Sequence, residues 1–417
     1  VIRRSQVYTI ADYLDQRYDA RIKTIYSIFV IFLIVFVDMA ASLYAGGILL
    51  KSFIPGLPLA IIILIVMGLT AIYSLVGGLW AISRTGIIQS FVIFFAAVLI
   101  AYFSLMGAGG WAEIKATAPE EYLTLIRPAD AKFVPWTGLL IGLPILSAYF
   151  WLTNPNMAQW VLSARSVKDA RRGLILAGML KLSVLFLIVL PGVAAFLLLP
   201  GLSDYDLAYP ELMRSLLPSG ILGLVLGGFF AALMSNTEAT LHAASTIITM
   251  DFISPKKPHL SPRSLVWAGR GVTIIIIALS AIWAPQIGRF ANLFEYIQGL
   301  LSYAVAPIVV VYLAGIFWPR ATASGAFWSF LIGGGAAVTM GICQSLSIID
   351  IHYLHVPLPI TLISLLTLSV ISLNRAAPDV KDSLLWKSTA FEGLTRQDII
   401  LALILLGLTT AQVIVFR

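Results

Sequence analysis

Cysteine is almost absent: Cys343 stands alone, so no intrachain disulfide can form and no cysteine-built metal cluster is available. Charge is scarce as well. Acidic and basic residues make up only 11% of the 417 positions, against about 25% in ordinary soluble domains. With 59% hydrophobic residues and a mean hydropathy of +0.95, a water-soluble fold could not hide the apolar remainder. The first twenty residues are charged and amphipathic, with neither the apolar core nor the cleavage site of a signal peptide. The chain begins at Val1, and the expectation is that the start of a longer protein is missing. There is no low-complexity tract, no direct repeat, and no pairing of nucleophile with base or clustering of metal ligands, so no enzyme is expected.

Long apolar runs fill the space those absences leave. Eleven candidate spans read at about 24–50, 57–80, 86–107, 137–153, 173–199, 220–250, 265–284, 290–317, 322–344, 356–373 and 398–416. The expected fold is therefore an all-α integral membrane protein, with residues 1–417 forming a single transmembrane domain in the bilayer. The formal charge of +7 does not imply a nucleic-acid partner, because the basic residues sit in short loops between apolar runs. Placing residues 1–23 in the cytoplasm leaves only Lys51, Lys115, Arg127, Lys132, Arg214, Arg289 and Arg417 outside. Arg3, Arg4, Arg84, Lys387 and the rest lie inside, with Lys181 within a span, which is the asymmetry the positive-inside rule requires. Trp111 and Trp136 bracket the longest outer loop, where interfacial aromatics belong.

Polar residues inside spans are the candidates for function, because ionisable groups in lipid are costly unless they face protein, water or an ion. In the stretch 227–251, Ser235, Glu238 and His242 fall at i, i+3 and i+7, on one face of a helix. Glu238 and His242 can pair and together could carry a proton, or they can be a satisfied pair facing another helix. Asp38 is mid-span. Lys181 lies about eight residues, or roughly 12 Å, into its span, where it either finds a partner or snorkels inward. Gln298 offers donor and acceptor, which suits a hydroxyl-rich ligand or a helix-to-helix bond. The fourth span carries Gly142 and Pro144 and meets Thr153, Asn154, Pro155 and Asn156. It is either broken at membrane depth, as transporters use to bind solutes, or simply Pro-kinked.

Several stretches together resemble the solute:sodium symporters, and among them the sodium/sugar branch. They are YTIADYLDQRYDARIKTI, YSLVGGLWA, NPNMAQWVLSARSVKDARRG, AALMSNTEATLHAASTIITMD, LFEYIQG and GIFWPRATASGA. The resemblance implies a LeuT-like inverted-repeat fold in a bacterial inner membrane or plasma membrane, with further helices ahead of Val1. It implies a symporter that moves a sugar or similar polyhydroxylated solute by alternating access, coupled to Na+. The sugar-binding positions of the branch fall on Lys181, Gln298, Ser147 and Asp38. Phe294 matches the outer gate, and Phe150 beside Trp151 the inner gate, where a tyrosine is usual. The sodium site falls on Ala232, Ser235 and Asn236, with Asn236 replacing a serine. Gly86 stands where an aspartate tied to sodium exit or a second ion is common. With Glu238 and His242 added, coupling is expected to be altered, with H+ coupling or facilitated transport as the alternatives. The rival solutes are a sialic acid, a carboxylate or an amino acid. The rival of another class is a transmembrane sensor module, although the 417 residues hold no kinase region.

Overall fold

The computed structural model describes residues 7, 9–257, 259–386 and 395–416, without the side chains of 73–85. Arg3, Arg4, Lys387 and Arg417 lie outside the described residues, and the side chains of the stretch 73–81 and of Arg84 are likewise not described. The described residues are helical throughout, and the one β-type pairing among them is a single bridge between Arg127 and Pro135. Among them, nine helices are long and apolar enough to cross a membrane, and Leu59–Ile72 and Pro357–Leu373 are shorter apolar helices. The protein is therefore an integral membrane protein, and its helices differ in what they face. Val167–Leu198 and Arg396–Val415 bury only 6% of their most apolar window within the chain, so lipid or other protein must cover the rest, whereas Ala20–Phe53 and Leu293–Phe317 bury 61%.

Two of the expected stretches take a particular form. Leu59–Gly107 is one helix of 49 residues where two spans were expected. At 1.5 Å per residue it runs about 73 Å, more than twice the hydrocarbon thickness. It carries one apolar stretch on each side of residues 73–85. The fourth span is not interrupted at Gly142 and Pro144: Trp136–Ala148 continues past both and widens into the π-helical turn Tyr149–Thr153 before ending at Asn154. Proline at 144 removes one main-chain donor, and the helix continues through it.

The chain forms two compact units. One comprises Val1–Leu33, Ile126–Leu174 and Ile297–Leu403. Here Arg17, only 4% exposed, closes the end of Leu293–Phe317. Its guanidinium donates to the carbonyls of Gly315 at 2.8 Å, Trp318 at 2.9 Å and Ala321 at 3.1 Å. Gly315 is among the last carbonyls of that helix, which lack an internal partner, the other two lie in the turn that follows, and a cation suits the negative end of the helix dipole. Ala323–Ser345 lies on Pro357–Leu373 through small residues, with Ser329 donating to the Ser364 carbonyl at 2.8 Å. Beside them Ala306, Ala337, Val356 and Ile360 form a buried cluster that Ile145 and Ile351 extend.

The other unit comprises Ile34–Leu125, Ile175–Tyr296 and Ile404–Arg417. Its core packs Leu49, Ala96, Ile100, Met213 and Val225. Ala20–Phe53 passes through a π-helical segment, Ile34–Met39, whose misaligned carbonyls need outside donors in lipid. Ser280 Oγ donates to the Val35 carbonyl at 2.8 Å, and the Tyr296 hydroxyl donates to that of Phe36.

Candidate functional site

Asp38 sits on that π-helical segment, half-buried, where the widened turn leaves main-chain oxygens facing side chains. Four residues on, Ser42 Oγ donates to the Asp38 carbonyl at 2.8 Å and accepts from the Asn236 Nδ2 amide at 3.1 Å. Asp38 and Asn236, 198 positions apart, are thus joined through one serine. With Nδ2 committed to Ser42, the Asn236 Oδ1 is the end left to accept or to ligate a hard cation.

Asn236 lies on the helix Ser219–Ile247, which also presents Ala232, Ser235, Glu238 and His242. The expected polar face therefore exists on one uninterrupted helix. Ala232, Ser235 and His242 are half-buried, Asn236 is exposed, and Glu238 is buried with 4% of its surface accessible. Among the described residues no three His, Cys, Asp or Glu side chains gather closely enough to hold a metal. The donors here are hydroxyl, carboxamide and carbonyl oxygens, which suit a weakly held hard cation rather than a transition metal.

Lys181 is the basic residue of the last turn of Val167–Leu182, and it is exposed. The helix is disturbed immediately after it. Ser183 N–H turns back to the Leu180 carbonyl at 3.1 Å, and the chain continues as the π-helical Leu185–Val189. Gln412 on the last helix donates to the freed Leu182 carbonyl at 2.9 Å. A cation beside an interrupted helix end gains from the dipole there.

In the other unit, Ser147 and Phe150 are exposed and Trp151 half-buried, the two rings meeting edge to face at 5.5 Å. Their π-helical turn is held by Tyr26, which donates to the Thr153 carbonyl at 2.8 Å. Gln298 is half-buried on Leu293–Phe317, and Phe294 in the first turn of that helix is 57% exposed. Asp206 accepts from the Leu293 N–H at 3.0 Å and so caps that helix start. Burial raises the Asp206 carboxyl above the usual carboxylate range, the Leu293 bond opposing it.

The structure places Asp38, Lys181, Phe294, Ala232, Ser235, Asn236, Glu238 and His242 in one unit. Ser147, Phe150, Trp151 and Gln298 lie in the other. Sequence reasoning missed Ser42, Ser280 and Tyr296, hydroxyls that complete the backbone around Asp38. The one available signal was the i, i+4 spacing of Asp38 and Ser42.

The profile of the Sodium:solute symporter family matches residues 1–333. The chain is 30% identical to the sodium/glucose cotransporter 1 of Oryctolagus cuniculus over 434 residues, covering 90% of this chain and 65% of that protein. To the sodium/myo-inositol cotransporter 2 of Homo sapiens it is 29% identical, covering 88% of this chain and 62% of that one. For the sodium/glucose cotransporter of Vibrio parahaemolyticus the figures are 29%, 89% and 73%. The chain thus spans less than two thirds of the two mammalian relatives. It also superposes on a solved substrate-bound, outward-open Na+-coupled sialic acid symporter with a TM-score of 0.76 at 20% identity, covering 91% of this chain and 80% of that one.

Proposed function

The chain belongs to the sodium:solute symporter family, and from that premise we propose that it is a secondary active transporter moving a sugar or similar polyhydroxylated solute by alternating access. It works in a bacterial inner or plasma membrane. Its fold in this reading is the LeuT-like inverted repeat, with eleven spans and both compact units acting as one transporter domain. No bond is made or broken in the solute. A bound cation favours one of two conformations, and the solute, which binds that conformation better, follows the ion gradient.

Na+ is the proposed co-substrate, taken by the Ala232 carbonyl, the Ser235 hydroxyl and the Asn236 carboxamide. The observation that carries this is the Asp38–Ser42–Asn236 chain, which leaves the Asn236 oxygen uncommitted in an oxygen-rich stretch of the span. Lys181, Gln298, Ser147 and Asp38 are proposed to hold the solute hydroxyls, with Phe294, Phe150 and Trp151 as gates. Support for the solute class comes from the glucose and myo-inositol cotransporters among the relatives. Glu238 and His242, four residues apart on one helix, support a second reading in which a proton replaces or joins sodium.

Lys181→Ala tests the solute assignment. Saturable binding of glucose or myo-inositol should be lost in that variant while the protein remains folded, as judged by its thermal midpoint. Unchanged affinity would remove Lys181 from the site. Binding of a carboxylate or sialic acid, lost in the same variant and not displaced by sugars, would favour an anionic solute instead.

A further inference from the structure

Between Ala323–Ser345 and Pro357–Leu373 runs a short loop, residues 346–356, on the side that the basic residues assign to the outside. Its centre is a wedge. Leu354, 1% exposed, lies against Trp136–Ala148, the helix that carries Ser147 and leads into the turn of Phe150 and Trp151. The approach is close enough to dictate sequence: a Cβ on Gly142 would sit 1.9 Å from the Leu354 carbonyl oxygen, and one on Gly138 2.8 Å from the Leu354 Cβ. Ile351 and Val356 flank the wedge and enter the same buried cluster as Ile145.

A histidine holds the wedge in place. The Leu354 N–H donates to His352 Nδ1 at 3.2 Å, and His352 Nε2 lies 3.2 Å from the Lys132 carbonyl on the facing loop. A nitrogen that accepts from an amide carries no proton, and one that faces a carbonyl must carry one. These two bonds therefore define the neutral imidazole and use both of its nitrogens. His355 differs, because its Nε2 meets the Thr137 hydroxyl at 2.8 Å, and a hydroxyl can accept or donate. Among charged and titratable groups, the Tyr353 ring stacks on His352 at 4.4 Å and the His355 ring lies at 5.6 Å, while Asp130 and Lys132 are on the facing loop, Asp350 is two positions before His352, and Tyr303 is in the buried cluster. Trp136–Ala148 and Pro357–Leu373 bring none.

We propose that His352 is a positioning residue that, in its neutral form, pins Leu354 onto Gly142 and so sets the helix bearing Ser147, and that acid outside the membrane releases it. A second proton at Nδ1 turns the acceptor into a donor, and the Leu354 N–H loses its partner. Histidine takes that proton near pH 6.5 in the ordinary case.

Hydrogen–deuterium exchange on the full chain tests this without any assumption about transport. After correction for intrinsic rates, amides at 351–356 and 137–142 should exchange about two- to tenfold faster at pH 5.5 than at 7.5, as expected for one lost hydrogen bond. His352→Asn should remove that change, because its side-chain oxygen accepts from the amide two residues on at either pH. His355→Asn should keep it. Equal protection of the parent protein at both pH values overturns the proposal, as does a pH response that survives in His352→Asn or disappears in His355→Asn. Uptake into proteoliposomes adds an arm that rests on the transporter reading. Acidifying only the outside should change the rate for the parent and not for His352→Asn. If exchange responds and uptake does not, the wedge stands and its link to transport fails.

Discussion

Arg17 is buried where an unpaired charge would be costly, and its planar fork meets three main-chain carbonyls at the end of one helix. Lysine keeps the charge but cannot reach three acceptors fixed in that geometry. Arg17→Lys should therefore lower the thermal midpoint in detergent, corresponding to about 1.5–3 kcal/mol for lost charge-assisted bonds. An unchanged midpoint would show that the carbonyls find water or other donors. The sequence places Arg17 only as an inner basic residue, because its acceptors lie about three hundred positions away. Asn236 differs in this respect. Its place where the resemblance implies a serine is visible in the sequence, but its tie to Ser42, which orients the amide, is not.

At the scale of the element, the polar face 235–242 was legible because an uninterrupted helix of 29 residues keeps its spacing. The irregular helices were less so. Among the described residues four π-helical segments interrupt or end the long spans, and Asp38, Phe150 and Trp151 lie on two of them, with Lys181 just ahead of a third. Such widened turns depend on donors from elsewhere, Ser280 for Val35 and Tyr26 for Thr153, so local sequence does not reveal them. Gly142 and Pro144 read as either a break or a kink, and the glycine is there because the Leu354 backbone occupies the space of its Cβ. Gly142→Ala should accordingly cost about 1–3 kcal/mol of stability by overpacking against main chain that cannot swing aside. Gly173→Ala is the control, since nothing lies within 4 Å of a Cβ there. A thermal-shift comparison of the two decides it, and equal midpoints would contradict the close approach.

For the whole molecule, membrane class and helical fold follow from the scarcity of charge and the recurring apolar runs. The family emerged from stretches spread along the chain, and the profile match over residues 1–333 agrees with that reading. Composition could not reveal the two compact units, whose boundaries, apart from the one between Leu125 and Ile126, fall inside helices such as Leu293–Phe317. In the proposed reading coupling is likewise a property of the whole protein, because a cation held at Asn236 would have to bias a conformational equilibrium to matter. The most direct test is uptake of labelled glucose and myo-inositol into proteoliposomes under an inward Na+ gradient, an inward H+ gradient or neither. The expected result is saturable uptake stimulated by Na+, reduced in Asn236→Ala and unaffected by Glu238→Gln. Uptake driven by H+ alone and lost in Glu238→Gln would contradict sodium coupling, and no saturable uptake of either polyol under any gradient would contradict sugar transport itself.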